Sequence, residues 1–329
     1  MNAIFKAIKS IDWDYKTITK PGFYANVPLE LYHSAKICDS ISVSSSGLRR
    51  LFSESPADFY DKWEGNPNRA EEEDKPHFAI GRAVHHLMLG EPYFAKLFCI
   101  QPDGWEDPDT GEVNAWRKGK GGVKHADAWA EDMAKANRTI LTMDDFKSIK
   151  GMVESLSDHP LIKQQAAGGA GALNGLIERS GFVKDKATGL WVKIRPDAVP
   201  TDSGDYVDLK TTISVQWDDL RRTIFERGYH QQMALIRTVT RELGFPFTSA
   251  SLVFVKKKSP YSVRVVTLKD NTLDLGEKAN RAALDAMSEC LKRKRWPGPG
   301  GDREDAQPIE LPEWAVTKTE DRIKYGVPT

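Results

Sequence analysis

Apolar and polar positions follow two rhythms along this chain, one helical and one extended. Residues 78–90 (FAIGRAVHHLMLG) carry Ile80, Ala83, Val84 and Leu87 at helical spacing, which turns one stripe of a helix toward a core. Upstream, Ser44, Ser45 and Ser46 precede the run GLRRLF. Serine oxygens ahead of such a run predict a helix start with hydroxyls free to cap exposed N–H groups. Residues 126–158 read as mostly helical and amphipathic. The rhythm then changes: Leu190, Val192 and Ile194 alternate with Trp191, Lys193 and Arg195, the period of a strand. The turn sequence 201–205 (TDSGD) leads into a second short strand at 206–210. Residues 216–243 predict two helical pieces meeting near Gly228, and 249–256 and 261–268 a strand pair around Ser259 and Pro260. Residues 274–294 predict a closing helix. Gly, Pro and charge density mark 65–76, 101–123, 166–175 and 296–312 as loops. This order predicts an α/β protein with helices covering a sheet.

Composition narrows the function classes. The chain has 329 residues, 40% hydrophobic and 29% charged, values of a folded globular protein. Its 47 Lys+Arg balance 47 Asp+Glu, so no global basic excess advertises a nucleic-acid partner. No apolar run approaches the roughly 18 residues a membrane span needs, and the first residues lack the apolar stretch of a signal peptide. Cys38, Cys99 and Cys290 are three and scattered. That excludes a disulfide framework and a four-cysteine iron–sulfur cluster within one chain. The expectation is a reduced, cytoplasmic protein without a membrane partner.

The segment 194–212 (IRPDAVPTDSGDYVDLKTT) concentrates the chemistry. Residues two apart on a strand share a face, so Asp208 and Lys210 emerge together while Val207 and Leu209 enter the core. Asp197 ends the preceding strand, and a tight hairpin can bring it beside Asp208. Two such carboxylates repel unless a cation lies between them. Oxygen ligands favour Mg²⁺, with Mn²⁺ as a substitute. A lysine beside that ion can orient a water for attack on a phosphodiester. The competing reading is a solvated strand end.

Pro196-Asp197 followed eleven residues later by Asp208-Leu209-Lys210 resembles the signature of the PD-(D/E)xK nucleases. Gly81-Arg82-Ala83-Val84-His85 resembles the G-x-x-x-H helix of their RecB-like branch, and Tyr229-His230-Gln231-Gln232 its helix after the catalytic strand. PGFYANVPLELYH from Pro21, VSSSGL, and IELPEWA at 309–315 are similar to segments of the RecE-like nuclease domain. The resemblance spans 21–316, leaving 1–20 as an N-terminal extension and 317–329 as a tail. It implies a restriction-endonuclease-like core with a mixed central sheet flanked by helices. It also implies His85, Asp197, Asp208 and the Leu209 carbonyl as metal ligands, and Lys210 as holder of the attacking water. Tyr229 and Gln232 would face the same phosphate, and Glu178 would occupy an acidic position on the first strand. Periodicity does not choose between His85 and His86, nor between Gln231 and Gln232. The family's frequent Q-x-x-x-Y pattern fails here, since Ile236 stands where tyrosine is expected.

A neutral chain that handles DNA must segregate its cations on one surface. The candidates are Arg49 and Arg50, the segment 117–124, Lys256 to Lys258 and the run 292–295, with the acidic run 71–74 facing outward. Ser44 and Ser46 at a helix start, with Arg49 and Arg50 one turn on, suit a DNA phosphate. The segment 117–124 lacks G-x-x-x-x-G-K-[ST], which excludes an ATP loop. The resemblance further implies a double-stranded DNA exonuclease of 5′→3′ polarity acting in phage-type recombination. A ring-shaped homo-oligomer and a single-strand annealing protein would be its partners. A structure-specific endonuclease and a non-catalytic end-binding scaffold are the rivals.

Overall fold

The computed structural model describes residues 9–69, 76–88, 94–163, 173, 175–177, 179–200, 203–301, 306 and 308–326. Glu178, the acidic run 71–74 and most of the loop 166–175 lie outside the described residues. Two five-stranded sheets carry the fold. One has the order Ser10–Asp12, Gly22–Ala25, Ser180–Lys184, Trp191–Ile194, Ser42–Ser44. The other, which bears the chemistry, runs Val263–Thr267, Ser249–Lys256, Asp205–Thr212, Ala198–Val199, Leu176–Ile177. At its centre Asp205–Thr212 pairs in parallel with Ser249–Lys256 along all eight residues.

Helices cover both faces of that second sheet. Val207, Leu209, Val253 and Val255 pack with Ala83 and Val84 of the helix Pro76–Met88 and with Ile149 and Met152 of Met143–Asp158. Tyr206, Leu252 and Phe254 on the opposite face join a larger core with Met233 and Leu235 of Tyr229–Glu242 and Ala283 and Met287 of Asp270–Arg293. Burial on both faces explains the near-continuous apolar run in Ser249–Lys256. The mixed α/β sandwich expected from the sequence is therefore present.

Local structure adds to or departs from the sequence reading at several places. Residues 126–158 are mostly helical, as expected, but the strand Thr139–Leu141, parallel to Phe98–Ile100, separates Gly119–Lys135 from Met143–Asp158. Asn137 takes a positive φ of 53° beyond the first helix. Thr142 then opens the second with a reciprocal capping box to Asp145, at 3.0 Å each way. The loop at 101–123 contains a hairpin, Gly104–Glu106 with Val113–Ala115, and the helix already begins at Gly119. The tail at 317–329 belongs in part to the helix Glu313–Tyr325, which buries none of its side chains. The strand Trp191–Ile194 also differs from a half-exposed one, because all four residues are buried, Lys193 included. Among the described residues no helix is long and apolar enough to cross a membrane.

Candidate active site

The site forms where one strand ends early. Ala198–Val199 pairs with the central strand through Ala198 opposite Val207. Continuing that antiparallel register by two places would set Pro196 opposite Leu209, and proline has no N–H to give. The Leu209 backbone turns to side chains instead. Asp197 Oδ2 accepts from the Leu209 N–H at 2.6 Å, and His85 Nε2 lies 2.9 Å from the Leu209 carbonyl oxygen. The other imidazole nitrogen of His85 stands 3.4 Å from Asp197 Oδ1. Strand edge, carboxylate and imidazole thus close a ring of contacts across two layers of the fold.

On the opposite face of the strand, Asp208 is 1% exposed and ion-paired with Lys210. Gln232 Nε2 donates to Asp208 Oδ1 at 2.7 Å, which identifies Gln232 rather than Gln231 as the site glutamine. Gln231 is buried, and its backbone carbonyl accepts from Asn280. The Tyr229 ring lies beneath the Lys210 ammonium, 4.9 Å from Nζ to the centroid, with the Arg49 guanidinium 5.9 Å from the same ring. Ile236 is a buried residue of that helix and also lines the cavity beside Asp197 and Gln232, so where the Q-x-x-x-Y pattern places a tyrosine hydroxyl this chain presents an apolar side chain. His86 turns the other way and meets the Phe98 ring edge-on at 5.6 Å. That resolves the choice that periodicity left open.

Electrostatics divide the two carboxylates. Burial opposes ionisation of both. At Asp197, His85, Lys210 and the Leu209 amide outweigh it, and the pKa falls below the usual carboxylate range. At Asp208 burial is reinforced by the neighbouring Asp197 charge, and the pKa rises. Burial also works against the charged forms of His85 and Lys210, but the two aspartates prevail and raise both pKa values. Lys210 is therefore an ammonium that donates and stabilises negative charge, and it is unsuited to act as a base near neutrality.

Beside these groups opens a cavity of about 230 Å³, lined by Tyr32, His33, Ser44, Ser46, Arg49 and Arg195 together with Asp197 and Gln232. Ser44 precedes the helix Ser45–Ser53 but its side chain makes no capping bond. Its hydroxyl instead lies 2.8 Å from that of Ser46. Arg49 donates to the Arg227 carbonyl at 2.7 Å. Its approach depends on Gly228, which has φ 61° and where a Cβ would meet Arg49 Cδ at 2.8 Å. Arg50 is not part of this lining and pairs with Glu54 at 3.5 Å. Sequence reasoning missed Tyr32, His33 and Arg195. Arg195 immediately precedes Pro196 and Asp197, and its guanidinium lies 5.7 Å from the Tyr32 ring centroid.

Among the described residues no three His, Cys, Asp or Glu side chains converge closely enough to hold an ion by themselves. A cation here would need the Leu209 carbonyl as well. The donor chemistry fits a hard divalent ion: two carboxylates, a backbone carbonyl and an imidazole. His85 Nε2 and Leu209 O are 2.9 Å apart, close to the roughly 3 Å between neighbouring ligands of an octahedral ion with bonds of about 2.1 Å. Gln232 Oε1 is buried beside them with no hydrogen-bond partner.

The fold and this constellation define a PD-(D/E)xK nuclease core. The chain belongs to the family described as PDDEXK-like domain of unknown function (DUF3799), which matches residues 44–306. No curated protein matches its sequence. Among solved structures it is similar to a protein from Eubacterium rectale named provisionally as an exonuclease, with TM-score 0.55 and 14% identity, covering 87% of this chain and 97% of that one. At that identity the likeness establishes the fold. A phage-related exonuclease from Haemophilus somnus aligns with TM-score 0.29 and 11% identity over 64% of this chain and 94% of that one. An alkaline exonuclease from Laribacter hongkongensis aligns with TM-score 0.22 and 20% identity over 35% and 59%. Both of these likenesses are too distant to add to the argument.

Proposed function

We propose that this protein is a Mg²⁺-dependent double-stranded DNA exonuclease of 5′→3′ polarity, leaving 3′ single-stranded tails. The observation that carries the reading is the convergence of Asp197, Asp208, Lys210, His85 and the Leu209 carbonyl beside a cavity rimmed by hydroxyls and guanidinium groups. His85, Asp197, Asp208 and the Leu209 carbonyl would hold Mg²⁺, with Mn²⁺ as a substitute. The ion would supply Lewis-acid stabilisation of the charge that builds on the scissile phosphate and activation of a water. Gln232 holds Asp208 in place, and the Lys210 ammonium donates to the water or the phosphate as negative charge develops. Ser44, Ser46 and Arg49, which line the same cavity as Asp197, bind an adjacent phosphate and orient the strand.

Residues 21–316 act as one nuclease domain in this reading, with DNA ends as substrate in the cytoplasm of a bacterial host. A homo-oligomeric ring and a single-strand annealing protein complete the phage-type recombination role. The deciding experiment offers linear and closed circular duplex, each with Mg²⁺ or Ca²⁺. Nucleotides released from linear DNA with Mg²⁺ alone, and a 5′ label lost before a 3′ label, support the reading. Cutting of closed circles replaces it with an endonuclease, and binding without cleavage replaces it with an end-binding scaffold.

A further inference from the structure

Two apolar surfaces of this chain are open to solvent and match each other in character. The first is a groove of about 660 Å³ between the helix Trp217–Glu226, the start of Asp270–Arg293 and the edge of Val263–Thr267. Phe52, Trp217, Phe225 and Leu275 line it while remaining 53%, 53%, 76% and 64% exposed. Clustered exposed apolar side chains with a polar rim are a candidate interaction surface. Its charged lining is basic, from Arg221, Lys269 and Lys278, and no carboxylate lines it, although Asp218 pairs with Arg221 at the rim.

The second surface is the C-terminal arm. Ile309, Leu311 and Trp314 are 94%, 66% and 70% exposed, and the helix that begins at Glu313 buries no side chain. Interleaved with them stand Glu310 and Glu313, so 309–316 (IELPEWAV) is apolar and acidic with no cation. Pro308 and Pro312 flank the Ile-Glu-Leu triplet and hold it extended, which lowers the entropy lost when it is captured. The arm leaves the body near Pro297, whose carbonyl accepts from Ala57. That point is at the far end of Asp270–Arg293 from the groove. Leu275 and Arg293 are eighteen residues apart, about 27 Å along a helix.

We propose that residues 309–316 of one copy of this chain seat in the Trp217–Phe225–Leu275 groove of a second copy. Ile309, Leu311 and Trp314 fill the apolar floor, and Glu310 and Glu313 meet the Arg221, Lys269 and Lys278 rim. Arm and groove are different surfaces, so the contact is head to tail. Such contacts close into a ring when the rotation between copies allows it. This contact deepens the homo-oligomeric ring of the proposed function by naming its two surfaces, and because assembly is read by mass and not by cleavage, its failure leaves the nuclease activity itself untouched.

The test is sedimentation of the full-length protein and two full-length variants, Leu275→Glu in the groove and the double variant Ile309→Asp/Trp314→Asp in the arm. All three positions are exposed, so melting temperatures should match wild type and report that folding is intact. Wild type should associate. Each variant alone should weaken association by about thirtyfold or more, as expected for loss of a central aromatic or aliphatic anchor. An equimolar mixture of the two variants should recover one-to-one pairs, because one supplies an intact arm and the other an intact groove. A wild type that stays monomeric overturns the proposal, as does association that survives both variants. A mixture that fails to pair also overturns it, by showing that the groove receives its own arm, nucleic acid or another protein.

Discussion

His85 and Leu209 are 124 positions apart, yet the imidazole of one lies 2.9 Å from the backbone carbonyl of the other. The contact joins a helix on one face of the sheet to a buried stretch of its central strand where the neighbouring strand has ended. It exists because the neighbouring strand stops at Ala198, with Pro196 unable to continue the ladder. The P in the signature therefore has a structural task, which is to leave a carbonyl free at the reaction centre.

His85 and His86 provide an internal comparison. His85→Ala should reduce cleavage about 10–100-fold, the usual effect of losing one group around a metal site, with DNA-end affinity little changed. His86→Ala removes a ring packed on Phe98 and should lower the melting temperature while leaving kcat near wild type. Single-turnover rates and thermal melts of both variants make the check. Equal kinetic losses from the two would contradict the assignment.

Asp208 and Gln232 form a second pair, joined at 2.7 Å. Asp208→Asn preserves shape and an acceptor for the glutamine but deletes the charge. It should lower cleavage by about 10²–10³-fold or more, the scale of losing a preorganised electrostatic group. Gln232→Ala leaves a buried carboxylate oxygen without its donor, which costs about 1–3 kcal/mol, and should produce a smaller kinetic loss. Filter binding to linear duplex should show both variants still holding DNA ends. A fully active Asp208→Asn protein would refute the site.

How much of this was legible beforehand can be argued from these residues. The signature residues and the G-x-x-x-H helix name the central strand and its facing helix, since the chemistry recurs at fixed spacing. The meeting at Gly228 was legible because a glycine between two amphipathic pieces marks a break. The strand Thr139–Leu141 was not, because three residues between two long helices carry too little period-two signal. Tyr32 and Arg195 escaped for a different reason. Their place in the cavity depends on the first sheet setting Ser42–Ser44 beside Trp191–Ile194, a long-range pairing that no local pattern records. Lys193 reads as a solvent-facing strand lysine, yet both faces of its sheet are covered.

That buried lysine makes stability depend on pH. Lys193 Nζ donates to the Ser34 carbonyl at 2.7 Å and to Ser42 Oγ at 3.2 Å, and burial lowers its pKa from 10.5 to about 8. Below about 8 folded and unfolded chains both carry the proton, and the penalty for burying the charge is present in full. Between about 8 and 10.5 the folded chain releases the proton first, so stability rises with pH. The gap is worth roughly 3 kcal/mol. Urea unfolding of wild type and Lys193→Met at several pH values should show the wild type gaining on the variant across that window. A constant difference would mean that the lysine is not buried as a cation.

Gly228 ties fold to DNA contact. Its left-handed backbone and the 2.8 Å approach of a Cβ to Arg49 Cδ make Gly228→Ala strained in two ways. It should cost about 1–3 kcal/mol of stability and shift Arg49 from the cavity. Arg49→Ala should leave stability closer to wild type but weaken DNA binding with a reduced salt slope. If Gly228→Ala weakens DNA binding without destabilising the fold, or Arg49→Ala leaves the salt slope unchanged, this linkage is wrong.

The divalent ion can be tested without any DNA. Asp197 and Asp208 are two buried carboxylates whose mutual repulsion helps raise the Asp208 pKa, and a cation between them would relieve it. Ligand that binds only the folded chain stabilises it by about 2.7 kcal/mol at a hundredfold excess over Kd. Mg²⁺ should therefore raise the melting temperature of the protein alone, and a chelator should reverse the rise without unfolding it. The rise should vanish in Asp208→Asn and persist in Asp144→Asn, which changes a carboxylate exposed on the surface of its helix. A Mg²⁺ shift of equal size in both variants would place the ion elsewhere on the protein. No shift in wild type at Mg²⁺ concentrations that support cleavage would mean that the ion enters only with the DNA phosphate, and that these side chains do not hold it on their own.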